Sequence, residues 1–597
     1  MVNPPHHLAA ALLLVLACTG DPAPGATEAT STASDTATGT TAASTTAAST
    51  TSTASTASTS TGSTTNAGST SADTTTATTA TTDTTTGGQP ACPPPGPPPG
   101  AWTSERVPLG DDGYLAYPAD PEGNHVPDFG AAGYRRGAAP PPDLPIVVEV
   151  APSGADDTAA IQAAIDQAGA LPLDPEGHRG AVLLAPGTYT IAGTIALRHS
   201  GVVLRGAGDG DDPATATILR AVGDTPHQRD VIVAGSGVND RWKPEVPGTR
   251  TDVVTDLVSI GARALEVAAP ENFAVGDHVV IVHPCTAAWL AAVDHGATAA
   301  DDPWTVGSQP LVFKRQITAI AGAALTFDAP LFNRLDRKLA QSYVYLADRA
   351  DVVTEVGVED LRIDIVTKGG DDENHAWSAI ALRGVEDSWV RSITALHFGY
   401  AGVTVETGVQ ITVDDVRALD PVAQLTGGRM YNFDVSGGQQ ILFTRCRARG
   451  GRHHYVSNGT SWTAGVVFHR SVSEGAHAPS EGHRRWSMGL LYDNHREENP
   501  ATTEVLGLYN RGDHGTGHGW ASVHSLAWNV DLGAAIGLIQ RPPTAQNYAI
   551  GGAGEFSGAT PPAPFKHPEG HIEGIGEPGL FPESLYERQL AERLCGR

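Results

Sequence analysis

The chain has 597 residues, a formal net charge of −28 at pH 7 and 17% charged residues. This acidity argues against general nucleic-acid binding, which requires a basic footprint spread over one face of a protein. Length alone does not fix the number of domains, because a solenoid can use such a length as one body.

The amino terminus is typical of an export signal. An apolar run from Leu8 to Ala17 is long enough for a signal peptide and too short to span a bilayer. The tetrapeptide ending at Cys18 (Val-Leu-Ala-Cys) resembles a bacterial lipobox, which implies a lipoprotein-type signal peptide over 1–18 and Cys18 as the lipid anchor. The expected location is therefore the exterior or the cell surface, as an outer-membrane lipoprotein of a bacterium, with plain secretion as the alternative.

Residues 19–100 are predicted to form a disordered tether, followed by a connecting segment over 101–140. The tether is rich in Ser, Thr and Ala, then in Pro, a composition that buries too little apolar surface to offset the entropy of ordering. It is either a solvated spacer or a carrier of O-linked glycans. Four cysteines follow Cys18, at 92, 285, 446 and 595, and their spacing leaves disulfide pairing open, with Cys92 to Cys595 as one guess.

The body opens with a strand, a turn and an amphipathic helix. An apolar run over Ile146–Val150 precedes GADDTAAIQAAIDQA, in which Ile161 and Ile165 share one face. Together with APGTYTIAGTIAL and SGVVLRGAG, this opening resembles the pectate-lyase superfamily, of the rhamnogalacturonase and epimerase type. The resemblance implies an all-β fold, a right-handed parallel β-helix (pectin-lyase-like solenoid) over 141–597, with an N-terminal capping helix. It does not fix the chemistry, because this superfamily includes lyases, hydrolases, epimerases and adhesins.

From residue 231 to 333 the pattern of short apolar runs changes to alternating strands, which predicts a small β insertion. Trp289 and Trp304 in this insertion either overhang a sugar groove or belong to a local core. Phe443 and Phe468, like Gly450 and Gly475, are 25 residues apart. This spacing indicates stacked coils. A C-terminal docking helix is predicted over 582–594.

The stretch from Phe443 to Asn494 is basic within an acidic chain and predicts an anion-binding active-site wall. Elimination from a uronic acid needs a cation for the carboxylate, a base for the α-proton and an acid for the leaving oxygen. Arginine suits the first role, and histidine and tyrosine suit the others. We therefore assign Arg485 and Arg452 as the carboxylate clamp, His454 or His483 as the base and Tyr492 as the acid. The expected substrate contacts are His453, Arg484, Trp486, Trp462, His514 and His518.

The favoured function is that of a polysaccharide lyase acting on an anionic, uronic-acid-containing polysaccharide. A glycoside hydrolase of polygalacturonase type, using paired carboxylates, is the first alternative. Gly517-His518-Gly519 resembles an element of those hydrolases, although their Asn-Thr-Asp and Arg-Ile-Lys motifs are missing. A non-catalytic glycan-binding β-helix is the second. No cofactor is expected, and no specific motif indicates calcium. The expected partner is the polysaccharide, with membrane contact only through the lipid anchor, no nucleic acid and a monomeric state.

Overall fold

The computed structural model describes residues 92–237, 244–298, 304–558 and 567–597. The predicted signal peptide, Cys18 and the tether up to residue 91 lie outside the described residues. None of the helices in the described ranges combines the length and apolar character that a membrane span requires.

The body is a parallel β-helix, which confirms the predicted fold class. Its strands form one large parallel sheet whose register divides it into three faces. The first face contains Ile146–Val150, Gly180–Leu184, Val202–Arg205, Val353–Thr354, Gln439–Thr444, Ala464–His469, Ser487–Asp493, Ser522–Val523, Leu526–Trp528, Tyr548–Ile550 and His571–Glu573. The second contains Gly187–Ile191, Thr217–Ala221, Arg447–Arg449, Val472–Glu474 and Arg496–Glu498.

The third face contains Ile195–Leu197, Asp230–Ala234, Ser378–Arg383, Ala401–Glu406, Tyr431–Ser436, His453–Ser457, Ser480–Gly482 and Glu504–Leu508. Five longer strands continue from one face to the next: Gly357–Ile365, Val385–Leu396 and Val409–Leu419 from the first to the second, and Asp531–Ile539 and Ala553–Ser557 from the second to the third. Each turn of the chain therefore adds one strand to every face.

Aromatic side chains fill the interior of the middle coils. Phe443 pairs with Phe468 in the ladder, as the 25-residue spacing predicts, and Phe468 pairs with Tyr492. The rings of Phe433 and Tyr455 stack with centroids 5.0 Å apart. Because these side chains are fully buried, they hold neighbouring coils in register.

The predicted capping helix is confirmed at Thr158–Gly169. Ile161 and Ile165 on its apolar face are fully buried and pack on the first strands of the solenoid. The helix covers the end of a stack whose strand edges would otherwise be open to pairing with another chain.

The inserted β structure is antiparallel. Its six-stranded sheet contains Thr251–Asp252, Ala264–Glu266, His278–His283, Leu311–Ala321, Ala324–Phe327 and Tyr343–Leu346, and a two-stranded sheet pairs Leu257–Val258 with Leu335–Asp336. These strands lie between residues 251 and 346, so the bounds differ from the predicted 231–333, because Asp230–Ala234 belongs to the third face. Trp289 and Trp304 are 3% and 5% exposed, which identifies them as core residues of this part.

Both ends of the described chain pack on the first face. The C-terminal helix is Leu585–Leu594, and a disulfide joins Cys595 to Cys92. The last part of the predicted tether, 92–100, therefore lies against the body. The remaining helices are short: Ala287–Ala292 and His514–Gly517, with 3-10 turns at Tyr134–Gly137, Pro270–Asn272 and Asp294–Gly296.

Candidate active site

A cluster of polar and ionisable side chains lies on the third face, where strands Tyr431–Ser436, His453–Ser457 and Ser480–Gly482 meet the segments that follow them. We call it the third-face cluster, and its members are Tyr431, Arg452, His453, Glu481, His483, Arg511 and His518. Tyr431 and His453 are paired residues of adjacent strands. Arg452 directly precedes strand His453–Ser457, Glu481 lies in strand Ser480–Gly482, and His483, Arg511 and His518 lie in segments that follow third-face strands.

A carboxylate, an imidazole and a phenol form a chain through this cluster. The Glu481 carboxylate lies 2.7 Å from His483 Nδ1, and His483 Nε2 lies 3.4 Å from the Tyr431 hydroxyl. If Nδ1 donates to Glu481, Nε2 is the acceptor nitrogen, with the Tyr431 hydroxyl at 3.4 Å and a terminal nitrogen of Arg511 at 3.1 Å. Tyr509 fixes the carboxylate further by donating to its second oxygen at 3.0 Å.

Arg511 brings a buried positive charge to the same place. Its Nε lies 3.3 Å from Glu481. One terminal nitrogen lies 2.7 Å from Nδ1 and 3.1 Å from Nε2 of His483, and 2.8 Å from His518 Nδ1. Burial, followed by the charge of Arg511, lowers the pKa of His483 well below its ordinary value. The same two causes lower the pKa of His518 to about 2. Both imidazoles are therefore neutral at pH 7.

Arg452 links the surface to the buried phenol. Its partly exposed side chain donates to the Tyr431 hydroxyl at 2.7 Å, and its guanidinium lies 5.2 Å from the centre of the Tyr431 ring. Burial raises the pKa of Tyr431, while Arg452 opposes that rise. Tyr431 is therefore protonated at neutral pH and hydrogen-bonded to a permanent cation.

Two further arginines lie at the rim. Arg484 and Arg485 are partly exposed, and the Arg484 side chain donates to the carbonyl of Asn458 at 3.5 Å. Arg485 donates to the carbonyl of Gly517 at 3.1 Å and to the hydroxyl of Thr516 at 2.8 Å. The rim is thus positively charged, and Arg485 also ties the loop after strand Ser480–Gly482 to the turn at His514–Gly517.

A second carboxylate occupies the same outward column as Glu481. Strand pairing aligns Asp434, Val456 and Glu481 on successive coils, so the two acids are two strand spacings apart, about 10 Å. Asp434 accepts hydrogen bonds from Thr404 at 2.9 Å and Tyr400 at 3.0 Å. Burial raises the pKa of Asp434 to about 7, and burial also raises the pKa of Glu481.

Among the described residues, His453, Glu481 and His483 offer ligand atoms within 4.8 Å of one another. Two contacts disfavour a metal ion here. His453 Nδ1 lies 2.6 Å from the carbonyl of Pro479 and must donate there, so this nitrogen has no free electron pair for a metal. Arg511 also neutralises the carboxylate from 3.3 Å. Hydrogen bonds and an ion pair account for Glu481, His483 and His453 Nδ1, while the buried His453 Nε2 has no hydrogen-bond partner.

The structure brings several of the predicted residues together. Arg452, His453, His483 and His518 belong to the cluster, and Arg484 and Arg485 lie at its rim. His514 is exposed on the turn at His514–Gly517.

Four other predicted residues lie in the interior and are not retained in the site. His454 is fully buried: its Nδ1 bonds the hydroxyl of Ser473 at 2.6 Å and its Nε2 accepts from the amide of Gly451 at 3.0 Å. The hydroxyl of Tyr492 donates to the carbonyl of Tyr455 at 3.0 Å inside the solenoid. Trp486 is 0% and Trp462 7% exposed, since both pack against the insertion. Neither indole face is open to a sugar.

Sequence reasoning missed Tyr431, Glu481 and Arg511 as site residues. Glu481 lies only two residues before His483, a spacing that puts both side chains on one side of an extended strand. Tyr431 and Arg511 lie 52 and 28 residues from His483 along the chain, and only the stacking of coils brings them to it.

No family model matches the chain. A dephospho-CoA kinase from Deinococcus radiodurans is 31% identical over 125 residues, which cover 19% of this chain and 58% of that protein. The match thus spans less than two thirds of the kinase.

Several solved structures are similar to this chain. The tailspike of Pseudomonas phage LKA1 is 14% identical with a TM-score of 0.40, over 71% of this chain and 70% of that one. A polygalacturonase from Erwinia carotovora is 9% identical with a TM-score of 0.38, over 75% and 97%. PfbA, a surface adhesin of Streptococcus pneumoniae, is 8% identical with a TM-score of 0.30, over 72% and 92%. Sequence identities and TM-scores this low do not indicate what reaction this chain catalyses.

Proposed function

We propose that the protein degrades a uronic-acid-containing polysaccharide by β-elimination at the third-face cluster. The observation that carries this proposal is the position of the Tyr431 hydroxyl, 2.7 Å from Arg452 and 3.4 Å from His483, which is itself backed by Glu481. A cation, a neutral base and a protonated acid are the three groups that the reaction needs. A polymer substrate also requires action outside the cell, in accord with the export signal expected at 1–18.

Substrate binding is assigned to the arginines. The uronate carboxylate pairs with Arg452, and the rim arginines Arg484 and Arg485 attract neighbouring uronates of the same polymer. A guanidinium stays charged throughout the ordinary pH range and can bind a carboxylate through two parallel hydrogen bonds. Because Arg452 also contacts the Tyr431 hydroxyl, a carboxylate bound to it lies next to the proposed acid.

The elimination step transfers one proton from carbon to oxygen. His483 Nε2 accepts the proton α to the carboxylate, the electron pair of that C–H bond forms the new C=C bond, and the C–O bond to the leaving sugar breaks. Tyr431 gives its proton to the departing oxygen and becomes a phenolate, which Arg452 stabilises. The proton on His483 then passes across the 3.4 Å gap to the phenolate and restores the resting site. Because base and acid lie side by side, removal of the proton and departure of the oxygen occur on the same face of the sugar.

The test is turnover of a panel of uronans, such as polygalacturonate, alginate and glucuronan, followed by the ultraviolet absorbance of the conjugated uronate product. Tyr431→Phe and His483→Asn are each expected to lower kcat/KM by about 10²-fold or more, the usual cost of removing an acid or a base. Arg452→Gln is expected to cost about 10²–10³-fold, because the developing negative charge loses its cation.

Tyr492→Phe is the matched control for Tyr431→Phe. It removes a phenol one face away, whose hydroxyl bonds the Tyr455 carbonyl in the core, and kcat/KM is expected to stay within a few-fold of the parent. If the two tyrosine variants lost kcat/KM equally, while circular dichroism showed both proteins folded, Tyr431 would not be the acid. Binding of uronans without turnover by the parent would favour the non-catalytic alternative.

Hydrolysis is the second candidate, and one observation favours it. Asp434 and Glu481 share one outward column about 10 Å apart, near the separation of about 6.5–9.5 Å that inverting glycosidases use, and burial raises both pKa values. In that case, new reducing ends form without the unsaturated chromophore, and Asp434→Asn abolishes the activity. An unsaturated product whose formation survives in Asp434→Asn excludes this candidate.

A further inference from the structure

The groups assigned to the elimination are closed off from solvent. Tyr431 is 1% exposed, Glu481 0% and His483 5%. Arg452 is partly exposed, so a uronate carboxylate can reach it, but the phenol and the imidazole beside it are covered. A polysaccharide cannot bring its α-carbon to a buried base while that cover stays in place. The reaction proposed above therefore needs a part of the molecule that moves.

A hairpin of the chain covers His483. It is closed by a bridge between Asn510 and Trp520. The imidazole of His518, from this hairpin, packs against that of His483 with ring centroids 4.8 Å apart. Arg511, from the same hairpin, lies 2.7 Å from one ring nitrogen of His483. Displacement of the part that carries His518 would therefore uncover one side of the base.

The base of the hairpin is fixed to the rest of the protein. The side chain of Asn510 and the amide of Trp520 both donate to the carbonyl of Gly296 in the insertion, at 3.1 and 2.9 Å. Arg511 is held by its ion pair with Glu481 at 3.3 Å. These contacts keep Arg511 beside the site when the residues beyond it move.

The tip of the hairpin, residues 512–518, is attached less firmly. Residues 513–516 are exposed. A Cβ atom on Gly515 would lie 2.5 Å from the His518 ring, so the backbone of the tip packs directly on this imidazole and the two move together. A surface segment with little buried apolar area opens locally at a small cost in free energy. The tip is therefore the part of the cover that can open.

Two side chains from outside the hairpin hold the tip in place. Arg485 donates to the Thr516 hydroxyl at 2.8 Å, to the Thr516 carbonyl and to the Gly517 carbonyl at 3.1 Å. Trp304 of the insertion donates through its indole N–H to the same Gly517 carbonyl at 3.2 Å. The strength of these hydrogen bonds sets how often the tip leaves His483.

We propose that residues 512–518 form a gate over His483, and that Arg485 and Trp304 are positioning residues that keep this gate closed. The inference rests on the proposed function, because a buried base must be uncovered before a polymer can reach it. It goes further by assigning access to a named segment and by giving the insertion, through Trp304, a role at the third-face cluster.

The experiment measures access to single histidines of the full chain with diethyl pyrocarbonate, which acylates neutral imidazoles, followed by peptide mass spectrometry. His483 and His518 report on the gate, His514 on the exposed tip and His524, which is 0% exposed, on the core. Burial lowers the pKa of all four, so at pH 7 their rates compare access. In the parent, His483 and His518 are expected to react about tenfold more slowly than His514, and faster than His524.

Three variants test the positioning residues. Arg485→Gln is expected to raise the rates at His483 and His518 about fivefold or more, without a change at His524. Trp304→Phe removes the indole N–H, keeps a ring in the core and is expected to raise the same two rates, so it serves if Arg485→Gln does not fold. Arg484→Gln is the matched control: it removes the neighbouring charge, whose side chain donates to the carbonyl of Asn458, and is expected to leave both rates unchanged.

The proposal is overturned if His483 and His518 of the parent react as fast as His514, no faster than His524, or at rates that neither Arg485→Gln nor Trp304→Phe changes. An equal rise in Arg484→Gln, or a parallel rise at His524, would show a general effect of charge or stability and would equally overturn it. Because labelling does not depend on turnover, a parent that passes this test but cleaves no uronan would refute the elimination and not the gate.

Discussion

Two histidines that the sequence makes equivalent differ in what their ring nitrogens contact. His454 and His483 both belong to the basic stretch, and each is a reasonable base. In the structure both nitrogens of His454 are used by the scaffold, through Ser473 and the Gly451 amide. His483 instead directs one nitrogen to Glu481 and the other to Tyr431, and Arg511 lies beside both nitrogens. The side of the strand from which the ring projects, and not the residue type, decides which histidine can act.

For His483 itself, we predict an unusual pH dependence of kcat/KM. Burial and then Arg511 lower the pKa of His483, so the neutral base persists as the pH falls through about 6.5, where an ordinary histidine becomes protonated. The profile of kcat/KM for uronan cleavage is therefore expected to show no acid limb near pH 6.5. Arg511→Gln removes the second cause and is expected to move the acid limb upward, toward neutral pH. A parent limb with its midpoint near 6.5, or an unshifted limb in a folded Arg511→Gln, would contradict the role of His483.

The candidate site could be predicted only in part, for a reason visible in single residues. Arg452 and His483 belong to a basic stretch that stands out in an acidic chain, and composition alone locates them. Tyr431 and Arg511 have no such signal, because their partners come from other coils. Tyr492 and Trp486 have suitable chemistry, but both are completely buried, one in the solenoid core and the other beneath the insertion. Tyr431 and Tyr492 are both buried, and only their hydroxyl partners differ: the side chains of Arg452 and His483 for Tyr431, and a core carbonyl for Tyr492. A linear sequence does not show these partners.

At the scale of elements, the contact between the insertion and the solenoid depends on glycines. The coil repeats and the capping helix could be predicted, because the spacing of apolar residues within each of these segments is enough to indicate them. The bounds of the insertion could not be predicted, because Asp230–Ala234 looks like any short apolar strand and one of its two partner strands, Ser378–Arg383, lies far along the chain. Gly465 and Gly489 are fixed by the same docking, since Phe332 occupies the space of their missing side chains.

Gly489→Ala is therefore expected to weaken this docking. Gly489 has φ = 63°, and a Cβ atom there would lie 2.2 Å from a ring carbon of Phe332. Gly533→Ala is the matched control, because Gly533 has φ = 59° and no atom within 4 Å of the added Cβ. The control should lose about 1–2 kcal/mol from left-handed strain alone, and Gly489→Ala about 1–3 kcal/mol more from the steric overlap.

Denaturant unfolding followed by circular dichroism measures both variants. In the double variant Gly489→Ala/Phe332→Ala the overlap is gone, so the two changes should destabilise the protein by less than their sum. Equal losses in Gly489→Ala and Gly533→Ala would show that Phe332 does not hold the insertion at this point.

At the scale of the whole molecule, the two ends of the described chain close on one another. Residues 92–140 and the C-terminal helix both pack against the first face, where Phe129 of the first and Tyr586 of the second share a core with the insertion. The Cys92–Cys595 disulfide joins these ends across 503 residues of sequence. A long closed loop is the arrangement in which a cross-link removes most entropy from the unfolded chain, although measured gains depend only weakly on loop length.

Loss of this disulfide is expected to lower the free energy of unfolding by about 2–4 kcal/mol. The comparison is between the parent and the double variant Cys92→Ser/Cys595→Ser, each with and without dithiothreitol, by denaturant unfolding. Reductant should destabilise the parent and leave the double variant unchanged, because Cys285 and Cys446, the other cysteines of the described chain, are buried free thiols. Since Cys92 and Cys595 are not part of the third-face cluster, kcat/KM at moderate temperature should be equal in the two proteins. A double variant as stable as the oxidised parent would mean that packing of Phe129 and Tyr586 already holds the ends together without the covalent bond.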